Sequence, residues 1–216
     1  MKNVLAILSI TFVLFSCSKE KIRGTGSILT ESRNHNNFTG VTVFGSASVQ
    51  IAQGTTFSVD VKGYGNLLPY YETRIVNNKL EMGYKNNVNV KNDNIQVFIT
   101  MPSINSISLH GSGNISTNGV FAGNTNFEAF IAGNGNINFS SGTTQNFKST
   151  IAGSGNIYTL NMVADKAETN ISGSGNTEIT ANNELKVTIA GSGDVYYRGT
   201  PVITTSISGS GAVIPK

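Results

Sequence analysis

Twelve acidic side chains are the first candidates for chemistry, because a pair of carboxyl groups can cleave a glycosidic bond. Such a pair needs a separation of about 5 to 9.5 Å. Glu168 and Glu178 are the acids that neighbouring units of a repeat could bring together. Nothing in their sequence context distinguishes them from ordinary surface acids. We therefore interpret the acids as solvated charges and predict no catalytic residue.

Cofactor and metal sites are not indicated either. The chain contains Gly-x-Gly segments, but none continues to the third glycine of a dinucleotide-binding loop, whose place is taken in one case by Tyr158. A zinc site would need a cluster of His and Cys, and the chain has only His35, His110 and Cys17. Asp194 is the one acid among the turns, which argues against calcium. The formal net charge of +3 is too small to indicate binding to nucleic acid. We therefore expect no cofactor, no metal and no nucleic acid.

A column of polar residues that recurs at one place in the repeat is the remaining candidate site. Stacked amides can hydrogen-bond along a stack of strands, which would be a structural role. The same column would also form a flat polar strip for a glycan or a partner surface. Both interpretations stay open from the sequence alone. The candidate polar ladder or binding strip consists of Asn114, Asn136, Asn156, Asn176 and Asp194.

The elements that position this column are marked by six short glycine turns. Their first glycines are 22, 20, 20, 18 and 18 residues apart, and a period near 20 indicates a repeat architecture. A side chain at a turn glycine would crowd the neighbouring coils, so we predict a structural role for these residues. The turn glycines are Gly111, Gly113, Gly133, Gly135, Gly153, Gly155, Gly173, Gly175, Gly191, Gly193, Gly209 and Gly211.

Apolar residues flank each turn at even offsets, as expected for strands that bury one face. Around Gly153, for example, Phe147 and Ile151 lie six and two positions before the glycine, and Ile157 lies four positions after it. β-Branched residues dominate these positions, and helical periodicity is absent. We predict an all-β fold, a right-handed parallel β-helix with coils of about 20 residues.

The first half of the chain follows this pattern less regularly. The segments Gly45-Ser46-Ala47 and Gly63-Tyr64-Gly65-Asn66 have the same flanking apolar residues, so both are predicted to be turns of coils. Between the second segment and the regular repeats, the sequence predicts a hairpin turning at Asn77-Asn78, a polar loop over 86–94 and a strand over 95–101. We divide the chain from residue 27 onward into an irregular β region, 27–105, and regular β-helix repeats, 106–216.

The N-terminus predicts a lipoprotein signal peptide. Lys2 precedes the apolar run Val4–Phe15, which is too short to span a bilayer. The sequence Leu14-Phe15-Ser16-Cys17 then resembles the bacterial lipobox, in which the cysteine is acylated and becomes the new N-terminus. We predict a signal peptide over 1–16 and a lipidated Cys17 with a polar tether over 17–26. Ser18 after the cysteine favours the outer membrane of a Gram-negative cell, facing the periplasm or the exterior.

The turns with their Gly-x-Gly-Asn-Ile core, together with the Val43–Val49 and Leu67-Leu68 segments, resemble a family described as putative auto-transporter adhesin, head GIN domain. The resemblance covers residues 26–214 and implies a secreted or lipid-anchored bacterial β-helical protein without catalytic residues. We therefore predict a non-catalytic envelope protein that is anchored in the membrane and binds a glycan or a protein surface. The alternatives are a purely structural envelope protein and a carbohydrate-active enzyme on the same fold. The oligomeric state is not predicted.

Overall fold

The computed structural model describes residues 20–216, so the predicted signal peptide and Cys17 lie outside the described residues. Its regular structure is β apart from a short 3-10 helix, Leu68–Tyr70. Among residues 20–216, no helix is long and apolar enough to cross a membrane. The strands of the first half are β1 (Glu20–Arg23), β2 (Ile28–Ser32), β3 (Gly40–Gly45), β4 (Ser48–Gln53), β5 (Ser58–Tyr64), β6 (Tyr71–Val76), β7 (Lys79–Tyr84), β8 (Val88–Lys91) and β9 (Gln96–Met101). Those of the second half are β10 (Ser106–Gly111), β11 (Asn114–Asn118), β12 (Phe121–Gly133), β13 (Asn136–Asn138), β14 (Gly142–Gly153), β15 (Asn156–Gly173), β16 (Thr177–Gly191), β17 (Val195–Arg198), β18 (Val202–Gly209) and β19 (Val213–Pro215).

The second half is a parallel β-solenoid, which confirms the predicted fold class. The segments that end at the first glycine of each turn pair in register from β10 through β12, β14, β15 and β16 to β18, and we call them the pre-turn sheet. The segments that follow the turns form the post-turn sheet, which consists of β11, β13, the first residues of β15 and β16, β17 and β19. The right-handed sense of the coil stays a prediction.

The core runs along the solenoid axis and consists of the predicted apolar columns. Ile131 and Ile151, which precede their turns by two positions, are fully buried, and so is Ile157 after its turn. Phe127 and Phe147 stack in neighbouring coils with ring centroids 6.1 Å apart. Burying a side chain of this size stabilises a fold by about 1.5–3 kcal/mol. The inward orientation predicted from the even offsets is confirmed for these coils.

The turn at Gly45 is the first coil, as predicted, because β3 pairs in register with β10 and places Gly45 beside Gly111. The segment at Gly63 is not a coil, so that prediction is wrong. Strand β5, which contains it, runs antiparallel to both β2 and β9. Val61 is nevertheless fully buried, because antiparallel strands alternate in the same way as parallel ones. Leu67, in the turn after β5, is also fully buried. Flanking apolar residues therefore do not distinguish the two arrangements.

Strands β2 and β5 to β9 cover one end of the solenoid, and we call them the N-terminal cap. The predicted hairpin is present as β6 and β7, and Asn77 and Asn78 have φ values of 48° and 60°, the left-handed geometry of a two-residue hairpin turn. The strand predicted over 95–101 is β9. Strand β7 pairs in parallel with β3, and β9 pairs with β4, so the N-terminal cap continues both sheets.

Two sequence predictions near the N-terminal cap are wrong. Residues 86–94 are not only a polar loop, because β8 lies within them. Residues 20–23 of the predicted tether form β1, which pairs in parallel with β8 along its whole length. In β8, the inward Val88 and Val90 alternate with the exposed Asn89 and Lys91, but a run of four residues between polar segments is too short to predict a strand. Its pairing with β1 is non-local, so the local sequence does not reveal it. The division of the chain at residue 105 stays a prediction.

Candidate functional site

The glycine turns are the places where successive backbones approach most closely. Gly153 has a φ of 136°, and a Cβ on it would collide with the carbonyl oxygen of Gly133 one coil earlier. Gly155 is buried, and a Cβ there would collide with the carbonyl oxygen of Gly135. The N–H groups of Ser154 and Gly155 donate to the carbonyl oxygen of Gly133 at 3.0 and 3.1 Å. The turn glycines therefore serve backbone contact between coils.

The structure joins the five residues of the ladder in one row, one coil apart. Asn136 Nδ2 donates to Asn114 Oδ1 at 3.1 Å, and Asn156 Nδ2 donates to Asn136 Oδ1 at 2.9 Å. Asn176 Nδ2 continues the row by donating to Asn156 Oδ1 at 3.2 Å. Asp194 has no side-chain donor, and its backbone N–H donates to Asn176 Oδ1 at 2.8 Å. The row therefore links the coils from side chain to side chain.

The ladder uses much of its own hydrogen-bonding capacity. Asn156 Oδ1 accepts two hydrogen bonds from Asn176, one from Nδ2 and one from the backbone N–H at 3.0 Å. Asn136 Oδ1 accepts the same two bonds from Asn156. At the end of the row, Asp194 Oδ1 accepts from the backbone N–H of Ala212 at 2.8 Å. A side-chain oxygen that already accepts two hydrogen bonds has little remaining capacity to accept one from a ligand. This geometry therefore favours the structural interpretation of the ladder.

Glu168 and Glu178 are not the carboxyl pair that the sequence allowed. Glu168 lies on the pre-turn sheet, in register between Lys148 and Lys186. Glu178 lies on the post-turn sheet, where its Oε1 is 2.6 Å from Lys216 Nζ. The glycine turn between the two acids directs them to different faces, so the expectation that they approach one another is wrong.

The two histidines lie in unrelated environments. His35 Nε2 is 2.9 Å from Thr73 Oγ1, and burial lowers the pKa of His35 below its ordinary value of 6.5. His110 lies on the outer face of the pre-turn sheet between two phenylalanines. In the part of the chain that the structure describes, no three His, Cys, Asp or Glu side chains come together as metal ligands.

Charged side chains of alternating sign cross the outer face of the pre-turn sheet. Glu128, Lys148, Glu168 and Lys186 lie side by side in register on four neighbouring strands, and we call them the charge row. An open groove of about 780 Å³ runs along them. Within residues 20–216, no ion pair involves these four side chains. Asn170 Nδ2 donates to Glu168 Oε1 at 3.1 Å, so this carboxylate is partly engaged. The charged groups of Glu128, Lys148 and Lys186 remain available for charge-assisted hydrogen bonds.

A second row on the same face is paired within itself. Asn146 Nδ2 donates to Asn126 Oδ1 at 3.1 Å, and Lys166 Nζ lies 3.2 Å from Glu184 Oε2 in the next two strands. These side chains line the far side of the groove. The side chains of this second row are therefore engaged with one another, in contrast to most of the charge row.

Three aromatic rings form a stripe on this outer face near the N-terminal cap. The rings of Phe44 and His110 stack with centroids 5.0 Å apart and planes at 21°, and those of His110 and Phe130 follow at 5.1 Å and 40°. Phe44 is 41% exposed, and the other two side chains are half-buried. We call these residues the aromatic stripe. Exposed rings present an apolar surface on which a ligand can pack.

A pocket of about 290 Å³ opens beside the aromatic stripe. Arg74 Nε and Nη2 donate to Glu81 Oε2 at 3.0 and 2.9 Å, which fixes the orientation of both side chains. The Tyr84 hydroxyl donates to Asp93 Oδ1 at 2.7 Å, and burial together with this hydrogen bond raises the pKa of Tyr84 well above its ordinary value. The pocket is lined by Phe44, Glu72, Arg74, Glu81, Met82, Gly83, Tyr84 and Asn86.

The sequence alone does not indicate the aromatic stripe or the charge row. Phe44 and His110 are far apart in the chain and become neighbours only because β3 pairs with β10. A local signal existed, since Phe130 and His110 occupy outward positions of strands whose other outward residues are mostly polar or small. Large rings at such positions are candidates for contact with a ligand.

The parallel coils make this chain a β-solenoid repeat protein with aromatic and charged side chains on one outer face. Residues 37–201 match the family model described as putative auto-transporter adhesin, head GIN domain, and the chain belongs to that family. The resemblance seen in the turn motifs is thereby confirmed. No curated protein is similar to the chain in sequence.

Solved bacterial structures share the fold. A putative adhesin from Bacteroides fragilis superimposes with a TM-score of 0.75 at 20% identity, covering 90% of this chain and 99% of the other. A putative lipid binding protein from Parabacteroides distasonis gives 0.60 at 22% identity, with 91% and 100% covered. A putative adhesin from Parabacteroides merdae gives 0.55 at 20% identity, with 91% and 99% covered. At these identities the similarity establishes the fold alone.

Proposed function

We propose that this chain is a non-catalytic, lipid-anchored protein of the bacterial cell envelope that binds a ligand through the outer face of its pre-turn sheet. The observation that carries the proposal is that the aromatic stripe and the charge row, whose members form no ion pair among the described residues, lie on this one face. Ring faces supply contact area, and charges of alternating sign supply orientation and selectivity. An extended face with an open groove of this kind suits adhesion to a polymer or a surface.

The N-terminal sequence supports the anchor. Leu14-Phe15-Ser16-Cys17 is the lipobox-like segment, and β1 begins at Glu20. Only Ser18 and Lys19 separate the proposed acylated cysteine from the folded domain. The domain would therefore sit close to the membrane, on the outer membrane of a Gram-negative cell. Several acyl chains at about 0.8 kcal/mol per buried methylene group would hold it there stably.

The descriptions of similar proteins agree with a binding role. The family and two of the structural neighbours are described as putative adhesins, and a third neighbour is described as a putative lipid binding protein. An enzymatic role receives no comparable support.

Glycans are the ligand class that fits this face best. The apolar side of a sugar ring can pack on Phe44 and Phe130, and its hydroxyl groups can hydrogen-bond to the carboxylates and ammonium groups of the charge row. Because the signs alternate along the row, a neutral or zwitterionic glycan is matched better than a polyanion. A protein surface is the second partner class, and the same experiment tests it.

The test is a binding screen of the chain from Ser18 onward against a glycan array and against isolated envelope polysaccharides and proteins. For a ligand found in this screen, we expect the double variant Phe44→Ala/Phe130→Ala to bind at least about tenfold more weakly, as central aromatic contacts do. Tyr158→Ala is the matched control, because Tyr158 is 37% exposed on the post-turn sheet and should leave binding unchanged.

Two outcomes would contradict the proposal. Equal binding by wild type and the double variant would place the ligand elsewhere on the molecule. The absence of any ligand among glycans and envelope proteins would leave the structural role that the hydrogen-bonded ladder favours.

A further inference from the structure

The last coil of the solenoid exposes side chains that every earlier coil buries. Ile203 and Ile207 are 37% and 41% exposed, whereas their counterparts one coil earlier, Leu185 and Ile189, are at most 1% exposed. Val202 in the same strand is 74% exposed. Apolar columns that form the core elsewhere therefore reach the surface at this end.

Two strands at this end also present free backbone edges. Strand β18 pairs with β16, and β19 pairs with β17; no strand within residues 20–216 covers their other edges. From Gly199 to Pro215 the chain carries no ionisable side chain. Natural edge strands commonly carry charged residues that prevent pairing with other strands, and β18 and β19 lack them. An uncharged edge beside exposed isoleucines is able to pair with another strand.

The opposite end of the solenoid is built differently. Its edge strands belong to the N-terminal cap, and they carry Glu72 and Arg74 on β6 and Glu31 on β2. Arg74 and Glu31 form ion pairs with Glu81 and Arg33 that are partly exposed to water. Pairing this end with the last coil of another molecule would remove water from these charges beside an edge that offers them no polar side-chain partner of opposite charge. A head-to-tail polymer is therefore disfavoured, whereas two identical uncharged ends match one another.

We propose that the exposed last coil is a dimerisation surface and that its partner is a second copy of this chain, joined tail to tail about a two-fold axis. Such an axis makes the two copies of β18 antiparallel. Residues that face each other in an antiparallel pair lie on the same side of the sheet. The inward residues must therefore meet inward residues for the two cores to become continuous.

This condition selects a register. With the two-fold axis at Thr205, Ile203 faces the partner's Ile207 and Ile207 faces the partner's Ile203. On the outer side Thr204 faces the partner's Ser206, so no charge is buried and no like charges meet. The interface closes on itself, which gives a dimer and not a fibre.

The dimer has a consequence that rests on the proposed lipid anchor. Strand β1 pairs with β8 beside the N-terminal cap, so the N-terminal region of each copy lies at the end away from the interface. Copies anchored in two facing membranes would then meet by their last coils. Dimerisation itself needs neither the anchor nor the glycan, so its failure is distinguishable from failure of the proposed function.

Light scattering after size-exclusion chromatography tests the dimer with the chain from Ser18 onward, which contains every described strand. We expect a mass twice that of the monomer. Ile207→Lys places a charge in the interface and should give a monomer with an unchanged circular dichroism spectrum. Ser206→Lys, on the outer side of the same strand, should remain a dimer. A wild-type chain that is monomeric at all concentrations, or that forms a series of larger polymers, would overturn the proposal.

Disulfide formation tests the register. Because Cys17 is absent from this chain, Thr205→Cys carries a single cysteine, and we expect mild oxidation to convert most of it into a covalent dimer. Ser208→Cys is the control, since the same axis places its two copies about 20 Å apart, at roughly 3.3 Å per residue along the strand. Equal cross-linking of both variants, or cross-linking of Ser208→Cys alone, would show that the register is wrong.

Discussion

At the scale of single residues, Thr177 places a hydroxyl group in an inward column of the post-turn sheet that is otherwise apolar. Ile137 and Ile157 occupy the equivalent positions in the two preceding coils, and Val195 occupies the next. Thr177 is fully buried, and its Oγ1 has no hydrogen-bond partner among the described residues. A buried hydroxyl without a partner costs about 1–3 kcal/mol of stability. Thr177 is therefore a position at which a substitution can increase the stability of the fold.

Thr177→Val should raise the free energy of unfolding by about 1 kcal/mol, because valine keeps the shape of threonine and removes the unsatisfied hydroxyl. Urea denaturation measures the change. Thr159→Val is the matched control: Thr159 is equally buried, but its hydroxyl donates to the carbonyl oxygen of Glu178, so its loss should lower stability. Destabilisation by both variants would show that Thr177 has a partner, such as an ordered water.

Asn156→Ala should lower the free energy of unfolding by about 1–3 kcal/mol, since Asn156 donates to Asn136 and accepts twice from Asn176. Thermal and chemical denaturation measure this loss. Ser154→Ala changes an exposed residue of the same turn and should have almost no effect. If Asn156→Ala keeps wild-type stability but weakens binding to an identified ligand, the ladder is a binding strip; if it changes neither, the asparagines are only good turn residues.

At the scale of the element, each glycine turn holds two coils at a distance set by backbone contact. In the middle of the stack, Gly155 lies directly over Gly135, and a side chain would occupy the space of the Gly135 carbonyl. The neighbouring residue of the turn, Ser154, is exposed. A larger side chain should therefore be tolerated at the exposed serine position of the turn but not at the buried glycine position.

Gly155→Val should destabilise the protein on the order of 1–3 kcal/mol, because the new side chain forces the coils apart or strains the turn. Differential scanning calorimetry would detect the lowered melting temperature. Ser154→Val adds the same side chain to the exposed position of this turn and should change the melting temperature little. A Gly155→Val protein that melts like the wild type would mean that the corner opens without cost.

At the scale of the whole molecule, the proposed anchor and the binding face belong to different parts of the chain. The lipobox-like segment precedes β1, and the charge row extends along the pre-turn sheet as far as Lys186 in β16. The face is therefore available along the length of the solenoid. Anchoring and binding should consequently be separable by mutation.

Cys17→Ala should release the protein from the membrane fraction, because acylation requires the thiol. Fractionation of cells and metabolic labelling with a fatty acid measure this change. The ligand affinity of the released protein should equal that of the chain from Ser18 onward. Continued lipid labelling and membrane association of the variant would exclude Cys17 as the anchor.

The sequence by itself determined the repeat. Glycines 18 to 22 residues apart and isoleucines at even offsets are local signals, and each coil repeats the same physical requirement, a close backbone approach beside a buried strand. For this reason the coils, the inward columns and the Asn77-Asn78 hairpin were predictable. The row of Asn114, Asn136 and Asn156 also followed from the period.

Only the tertiary structure decided which residues from distant segments meet. The strand β5 satisfies the same alternation as a coil but pairs antiparallel in the N-terminal cap, and Glu168 and Glu178 are separated by a turn that changes the face. The aromatic stripe exists because β3 pairs with β10, and the sequence does not indicate that these two strands are neighbours across the intervening strands of the N-terminal cap. Alternation fixes which side of a strand is buried, but the partner of that strand is set by non-local pairing.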